Sequence, residues 1–133
     1  MSSKKSDSTN EERFKQFINK EIYDKAAVTA SRAYGMDRST VNNMIELFQG
    51  DPIDASLLLM IWIKRQETRG EIRRPFSIML IEDLSNIYSQ FKDDKDKLEH
   101  AIRKYLTLIK WIFESRINNV NSIEEFIKKA GGK

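Results

Sequence analysis

The spacing of the apolar residues constrains the fold of this chain more than any other feature of its sequence. From residue 10 onward they recur at steps of three and four positions, which places them on one face of a helix. The first run consists of Phe14, Phe17, Ile18, Ile22, Ala26, Ala30 and Ala33. Only five Gly and two Pro interrupt 133 residues, fewer than a sheet protein usually needs for its turns. The pattern predicts an all-α protein, a compact bundle of five to six helices that forms a single domain over residues 10–130.

Capping residues divide the chain into helices. Residues 1–9 are rich in Ser, Lys and Asp and are expected to form a disordered tail. The first helix is expected to end at Gly35, and Asp37 is expected to cap a short second helix that ends at Gly50. Asp51-Pro52 then combines an N-cap residue with a proline in the first helical turn, which indicates the start of a third helix.

The third helix is expected to continue to about Arg69. Its middle, residues 57–63, is apolar at every position, so we expect it to be buried on all sides. Seven apolar residues are too few to cross a membrane. The pattern predicts a fourth helix over Phe76–Phe91, the longest helix over about 95–117 after Asp93 or Asp94, and a last short helix from Asn121-Ser122.

The sequence contains no recognisable catalytic or metal-binding motif. It has no Cys, and its one histidine, His100, has only Glu99 beside it. The acidic clusters lie at expected helix starts, where carboxylates offset the helix dipole. We therefore predict a protein without enzymatic activity, metal or cofactor. The polar N-terminus and the absence of Cys favour a cytoplasmic protein.

One stretch is strongly basic. Residues 64–74 read KRQETRGEIRR, in which the five cations are Lys64, Arg65, Arg69, Arg73 and Arg74. Cations on a rigid helix end can bind phosphates, and arginine adds bidentate geometry. The alternative is that they offset the helix dipole and cap the last carbonyls, as cations at a helix C-terminus commonly do. That alternative explains Arg73 and Arg74 less well, because both lie beyond the predicted helix.

A second basic set, Arg103, Lys104 and Lys110, lies on the longest helix. Arg103 and Lys110 are seven residues apart and therefore share a face. A solvated helix surface explains this set well. It becomes a candidate for nucleic-acid binding only if it adjoins the first set.

In the order of its elements the chain resembles the small subunit of type III CRISPR effector complexes, the Csm-type small subunit. The resemblance covers about residues 20–117. The segments that carry it are Tyr23-Asp24-x-Ala26, Ser39-Thr40-Val41-Asn42-Asn43-Met44-Ile45, the apolar helix that closes on a basic turn at residues 61–69, Phe76–Phe91, and the long helix with Tyr105, Trp111 and Phe113. The sequence departs from the family at Trp62, where a basic residue is usual, and at Thr68, where Gly is usual. The segment after Asn118 is not covered.

The resemblance implies a non-catalytic helical subunit, several copies of which stack along a ribonucleoprotein filament. Its implied partners are guide RNA and target RNA, the large subunit, the repeated backbone subunits and copies of itself, and no membrane. The basic residues would contact the RNA backbone, and Arg69 matches the family's basic positions best.

Two other functions remain open. The segment from Asp37 to Phe48 also fits the second helix of a helix-turn-helix DNA-binding regulator. Polar residues that face base edges would then be Arg38, Ser39, Thr40, Asn42 and Asn43. The chain could instead be a protein–protein adaptor that uses exposed apolar residues, with Trp111 or Phe113 as candidates.

Overall fold

The computed structural model describes residues 11–33 and 36–132. Within these ranges the backbone forms six helices and no strand. They are α1 over residues 11–30, which includes a π-helical segment at Phe17–Glu21 followed by Ile22–Ala30, then α2 (Arg38–Leu47), α3 (Pro52–Thr68), α4 (Arg74–Phe91), α5 (Lys95–Ser115) and α6 (Ile123–Ala130). The predicted all-α bundle is confirmed. The predicted tail at 1–9 lies outside the described residues, as does Gly35.

The helix starts predicted from capping residues are confirmed. Side-chain oxygens of three N-cap residues accept backbone amide hydrogen bonds: Asp51 from Asp54 at 3.1 Å, Asp94 from Lys97 at 3.2 Å and Ser122 from Glu125 at 3.1 Å. Asp37 occupies the N-cap of α2 but makes no such side-chain bond. These caps satisfy amide groups that a helix start otherwise leaves unpaired.

The first helix ends at Ala30 rather than at Gly35. Ser31 ends it because its polar groups bond to a distant segment: its carbonyl accepts from the Asn119 amide at 2.9 Å, and its hydroxyl accepts from the Val120 amide at 3.1 Å. Within α1, apolar residues recur every four positions, slightly more than the about 3.6 residues of an α-helical turn. The wider turn at Phe17–Glu21 keeps Phe17, Ile18 and Ile22 buried on the same side.

The first five helices run in alternating directions, as contacts between their ends show. Ion pairs join the starts of α1 and α3 to the start of α5: Glu11–Lys97 (2.7 Å) and Asp51–Lys95 (2.7 Å). Arg38–Glu114 (3.5 Å) joins the start of α2 to the end of α5, and the ring of Phe91 at the end of α4 packs on Phe17 of α1 (5.3 Å). Thus α1, α3 and α5 point one way and α2 and α4 the other. The start of α6 is attached to α1, because the Ile123 amide donates to Asp24 (2.9 Å). We call the end where α3 and α5 begin the lower end, and the end where they finish the upper end.

The core is continuous across the bundle, and α5 is its centre. The three- and four-residue spacing of Leu98, Ile102, Tyr105, Ile109 and Ile112 predicts a core stripe on α5, and all five are buried. The same spacing predicts an inward face on α4, and its residues are buried or half-buried: Phe76, Met79, Leu80, Leu84, Ile87, Tyr88 and Phe91. None of the described helices is long and apolar enough to cross a membrane.

The predicted burial of α3 on all sides is wrong. Leu59 and Ile63 are fully buried against the core, but Leu57, Leu58 and Ile61 are 43%, 50% and 67% exposed. The reason is that α3 packs against α4, α5 and α2 on its inner side and no other described element covers its outer side. The helix therefore has two apolar faces, of which the described residues bury one.

Candidate nucleic-acid interface

The turn between α3 and α4 is closed by backbone hydrogen bonds. Gly70 adopts a φ of +81°, its amide donates to the Glu67 carbonyl at 3.0 Å, and the Glu71 amide donates to the Gln66 carbonyl at 2.9 Å. This is a Schellman motif, in which a glycine in the left-handed conformation allows backbone amides to cap the last carbonyls of a helix. Ile72, which is 1% exposed, anchors the turn in the core. The turn at the upper end is therefore fixed in position.

The backbone, rather than arginine side chains, caps the end of α3. The carbonyls of Gln66 and Glu67 accept from amides of the turn, and the carbonyl of Arg65 accepts from the Arg69 amide at 3.0 Å. The Lys64 carbonyl also accepts from the Thr68 hydroxyl at 3.1 Å. These carbonyls therefore do not need the cations as caps. The other part of that alternative, a favourable interaction of the cations with the helix dipole, still applies.

All five cations of the first set are exposed at this turn. Lys64 pairs with Glu67 at 3.0 Å, one helical turn further along. The side chains of Arg65, Arg69 and Arg73 make no hydrogen bond or ion pair within residues 11–33 and 36–132. The structure thus presents three arginines that are free to bind an external anion.

Arg73 and Arg74 occupy positions that the helix dipole disfavours. Arg73 is the N-cap of α4 and makes no side-chain capping bond, Arg74 is its first residue, and the first turn contains no acidic residue. A helix start is electropositive, so cations there weaken the helix unless an anion lies nearby. The half-buried Glu67 offers partial compensation. Its pKa is lowered by the Ser77 hydroxyl first and by Lys64 next, with a smaller contribution from Arg74.

Two cations of the second basic set, Arg103 and Lys104, are engaged in local contacts. Arg103 pairs with Glu99 at 2.9 Å and lies over the Phe48 ring at 5.2 Å. Lys104 lies over the Tyr23 ring at 4.7 Å, and Lys110 is half-buried. Such contacts orient cations on aromatic faces and reduce the charge they offer to a ligand.

Arg103 of the second basic set lies nearer the lower end than the first set does. Phe48, which Arg103 covers, is the C-cap of α2 and lies near the start of α3 at the lower end. The first set lies around the opposite end of α3, a helix of 17 residues and therefore about 25 Å long. The candidate interface is therefore the set around the α3–α4 turn. Arg103 and Lys104 do not extend it into one continuous patch, whereas Lys110 lies near the end of α5, at the upper end of the bundle.

A shallow groove of about 410 Å³ lies on the surface of α5 beside α1. Tyr23, Lys104, Leu108 and Trp111 line it, and the Trp111 side chain is 64% exposed. His100 also borders the groove and packs edge-on against Phe14, with ring centroids 5.5 Å apart. Of the two residues proposed as adaptor contacts, Trp111 is exposed and Phe113 is half-buried against the core.

The polar residues proposed to read DNA are only partly available. Arg38, Ser39 and Asn43 are exposed, whereas Thr40 is buried and Asn42 is half-buried. Arg38 is also paired with Glu114. A helix that enters the major groove needs several free polar side chains on one face. The first turn of α2 offers fewer of these than its sequence indicates.

The sequence prediction missed two buried polar networks. In the first, both the Thr29 and the Tyr105 hydroxyls donate to Asp83 Oδ2 at 2.6 Å, which joins α1, α4 and α5. Burial raises the pKa of Asp83, and the two hydrogen bonds oppose that rise; burial also raises the pKa of Tyr105 well above its usual range. The signal was present, since Asp83 falls on the inner face that Phe76, Leu80 and Ile87 share.

In the second network, Arg32 holds the segment that precedes α6. Its Nη1 donates to the carbonyls of Val28 and Val120, each at 2.8 Å, and its Nη2 donates to Asn121 Oδ1 at 3.1 Å. No local pattern reveals this role, because an arginine at a helix end is usually a surface residue. The network docks α6 against α1. The segment after Asn118, which the family resemblance does not cover, is therefore an integral part of the fold.

No known protein family, curated protein or solved structure is significantly similar to this chain. Among the described residues, no group of three or more His, Cys, Asp or Glu side chains is placed to hold a metal ion.

Proposed function

We propose that this protein is a non-catalytic small subunit of a type III CRISPR ribonucleoprotein complex, an antiviral assembly of the cytoplasm. In this role it contacts the backbones of guide RNA and target RNA through the α3–α4 turn. It packs against the large subunit, the repeated backbone subunits and copies of itself. The proposal rests on the element order described above and on the placement of the arginines.

The observation that carries the RNA-binding part is the group Arg69, Arg73 and Arg74 on a fixed turn. Arg69 and Arg73 are unpaired within the described residues, and two of the three lie where the dipole of α4 disfavours a cation. An RNA phosphate would supply the missing negative charge. Contacts to phosphate carry no base preference, which suits a subunit of a complex whose specificity comes from a guide strand.

The direct test is binding of the full chain to unstructured single-stranded RNA, measured by fluorescence anisotropy at several salt concentrations. We expect weak binding that falls steeply with salt and does not depend on RNA sequence. Arg69→Glu combined with Arg73→Glu should reduce affinity by about tenfold or more at low salt. The matched control is Arg13→Glu combined with Lys92→Glu, which changes net charge equally at the lower end. Equal affinity of the Arg69/Arg73 variant and the unmodified chain would refute the interface.

Affinity purification of the tagged chain from its native cells tests the assembly itself. Recovery of a multi-subunit complex that carries short repeat-derived RNAs would support the proposal. Recovery of the chain alone, or bound only to duplex DNA, would exclude it.

An adaptor function is the second candidate, and the exposure of Trp111 favours it. An aromatic side chain that is 64% exposed beside a groove is typical of a protein–protein contact. If Trp111→Ala abolishes recovery of partner proteins while RNA binding is unchanged, adaptor activity is the better description.

A further inference from the structure

The outer face of α3 is apolar in its middle and charged at both ends. Asp54, Leu58, Ile61 and Arg65 lie within about 60° of one another around the helix, and all four are exposed. Leu57 and the half-buried Trp62 flank this stripe. We call the stripe and its two flanking residues the α3 face. Adjoining exposed apolar side chains of this size on a helix are a common mark of a docking surface.

Within the described residues, the two charges of the α3 face have no partner. Neither the Asp54 carboxylate nor the Arg65 guanidinium makes a side-chain hydrogen bond or ion pair within the described residues. They are eleven residues apart, about 16 Å along the helix, with the exposed apolar side chains between them. A partner must therefore supply a cation, an apolar stretch and an anion in that order.

The α3 face of a second copy that runs in the opposite direction presents the required order: the cation Arg65, the apolar residues and then the anion Asp54. A two-fold axis between residues 59 and 60 would place Asp54 opposite Arg65 of a second copy and Leu58 opposite Ile61, with Leu57 and Trp62 along the two edges of the contact. Each contact then occurs twice, as in any isologous interface. A nucleic acid would pair with Arg65 but would be repelled by Asp54, and it would leave the apolar residues uncovered. Charge complementarity therefore favours a second copy of this chain.

The geometry points to self-association through an antiparallel, two-fold pairing of α3 with α3 of a second copy. The apolar centre would exclude water, and the Asp54–Arg65 pairs at both ends would fix register and direction. This inference uses Arg65, which the RNA proposal also includes, and leaves Arg69, Arg73 and Arg74 free. It does not rest on RNA binding.

The test is analytical ultracentrifugation of the full chain without RNA over a wide range of protein concentrations. We expect a concentration-dependent dimer. Asp54→Arg alone and Arg65→Asp alone should each raise the dissociation constant by about tenfold or more, because each places two like-charged pairs in the interface. Glu46→Arg is the matched control; it makes the same charge change as Asp54→Arg on an exposed residue of α2 and should leave the constant unchanged.

Mixing the two variants makes the test specific. A heterodimer of Asp54→Arg with Arg65→Asp restores opposite charges at both ends, so an equimolar mixture should dimerise more tightly than either variant alone. Circular dichroism should show the same helicity for all variants, because the changed residues are exposed. A chain that remains monomeric, a dimer that both variants leave intact, or a mixture that fails to associate would each overturn the inference. If the unmodified chain dimerises but does not bind RNA, only the proposed function is contradicted.

Discussion

Helices α3 and α5 begin side by side, yet they relate to solvent in opposite ways. Each starts on an aspartate N-cap, and the Asp51–Lys95 ion pair of 2.7 Å joins the two starts. The pKa of Asp51 is lowered chiefly by its hydrogen bond with Lys95. From that common start, α5 turns its apolar residues inward and mostly polar ones outward, whereas α3 is apolar on both sides.

The difference shows that hydrophobicity and burial are separate properties of a helix. The core needs only one face of α3, which Leu59 and Ile63 supply. The side chains of Leu57, Leu58 and Ile61 are not buried in the described fold. A requirement other than folding of the single chain therefore accounts for these apolar residues. In α5 the exposed residues are those expected of a solvated surface, apart from Trp111.

The largest expected effect is the difference in stability loss between a substitution on the buried face of α5 and one on the exposed face of α3. Ile109→Ala in α5 should lower the free energy of unfolding by about 2–5 kcal/mol, because it leaves a cavity at a fully buried position. Ile61→Ala in α3 should lower it by less than about 0.5 kcal/mol. Urea denaturation at low protein concentration measures both without a contribution from self-association. A similar loss for both variants would mean that the monomer covers the outer face of α3.

The second prediction concerns the buried polar group that α5 shares with its neighbours. Asp83→Ala removes the acceptor of the Thr29 and Tyr105 hydroxyls and should lower the free energy of unfolding by about 1–3 kcal/mol. Asp83→Asn keeps an oxygen acceptor and removes the buried charge, so its effect at neutral pH should be smaller. Urea denaturation of the two variants makes the comparison.

The stability of the unmodified chain relative to Asp83→Asn should depend on pH. Burial raises the pKa of Asp83, so the folded state binds the proton more tightly than the unfolded chain does. Its contribution to stability is therefore complete below the unfolded pKa of about 3.9 and is lost as pH rises through the folded pKa. The unmodified chain should lose stability relative to Asp83→Asn over that window. The opposite trend would show that the fold favours the carboxylate.

The smallest effects concern how the two helices end. At the end of α3, Gly70 has a φ of +81°; at the end of α5, Arg116 has a φ of +61°. Gly70→Ala should destabilise the fold by about 1 kcal/mol, through backbone strain alone, because no atom lies within 4 Å of an added Cβ. Arg116→Gly should stabilise it by less than about 1 kcal/mol. Thermal melts of both variants should show shifts of opposite sign, and shifts in the same direction would contradict this account.

Features encoded in local sequence were predictable. The Asp51-Pro52 start, the aspartate cap before Lys95 and the inward stripes of α4 and α5 are set by neighbours within a few residues. The exposure of the first basic set was predictable for the same reason, since it follows the end of a helix. The i,i+3 spacing of Lys64 and Glu67 also indicates their ion pair.

Features that depend on distant partners were not predictable. An apolar run such as residues 57–63 has no polar residue to mark which face is outside, so the exposure of Ile61 follows only from how the other helices pack. The separation of Arg103 from the α3–α4 turn likewise depends on tertiary placement. Arg32 and Ser31 bond to residues about 90 positions later in the chain, and sequence spacing carries no information about such contacts.

The parallel pairing of α1 with α5 has a consequence for the order of events during synthesis. The residues of α5 that contact α1 emerge from the ribosome some 80 positions later, a delay of about 4–16 s at ordinary elongation rates. The α3–α4 hairpin can form without this delay, because its two helices are adjacent in sequence and are joined by the turn at Gly70. We expect the middle of the nascent chain to acquire structure first, while Ile22, Ala26 and Ala30 of α1 stay without their main partner, α5. In this interval the chain is most open to chaperones and to aggregation.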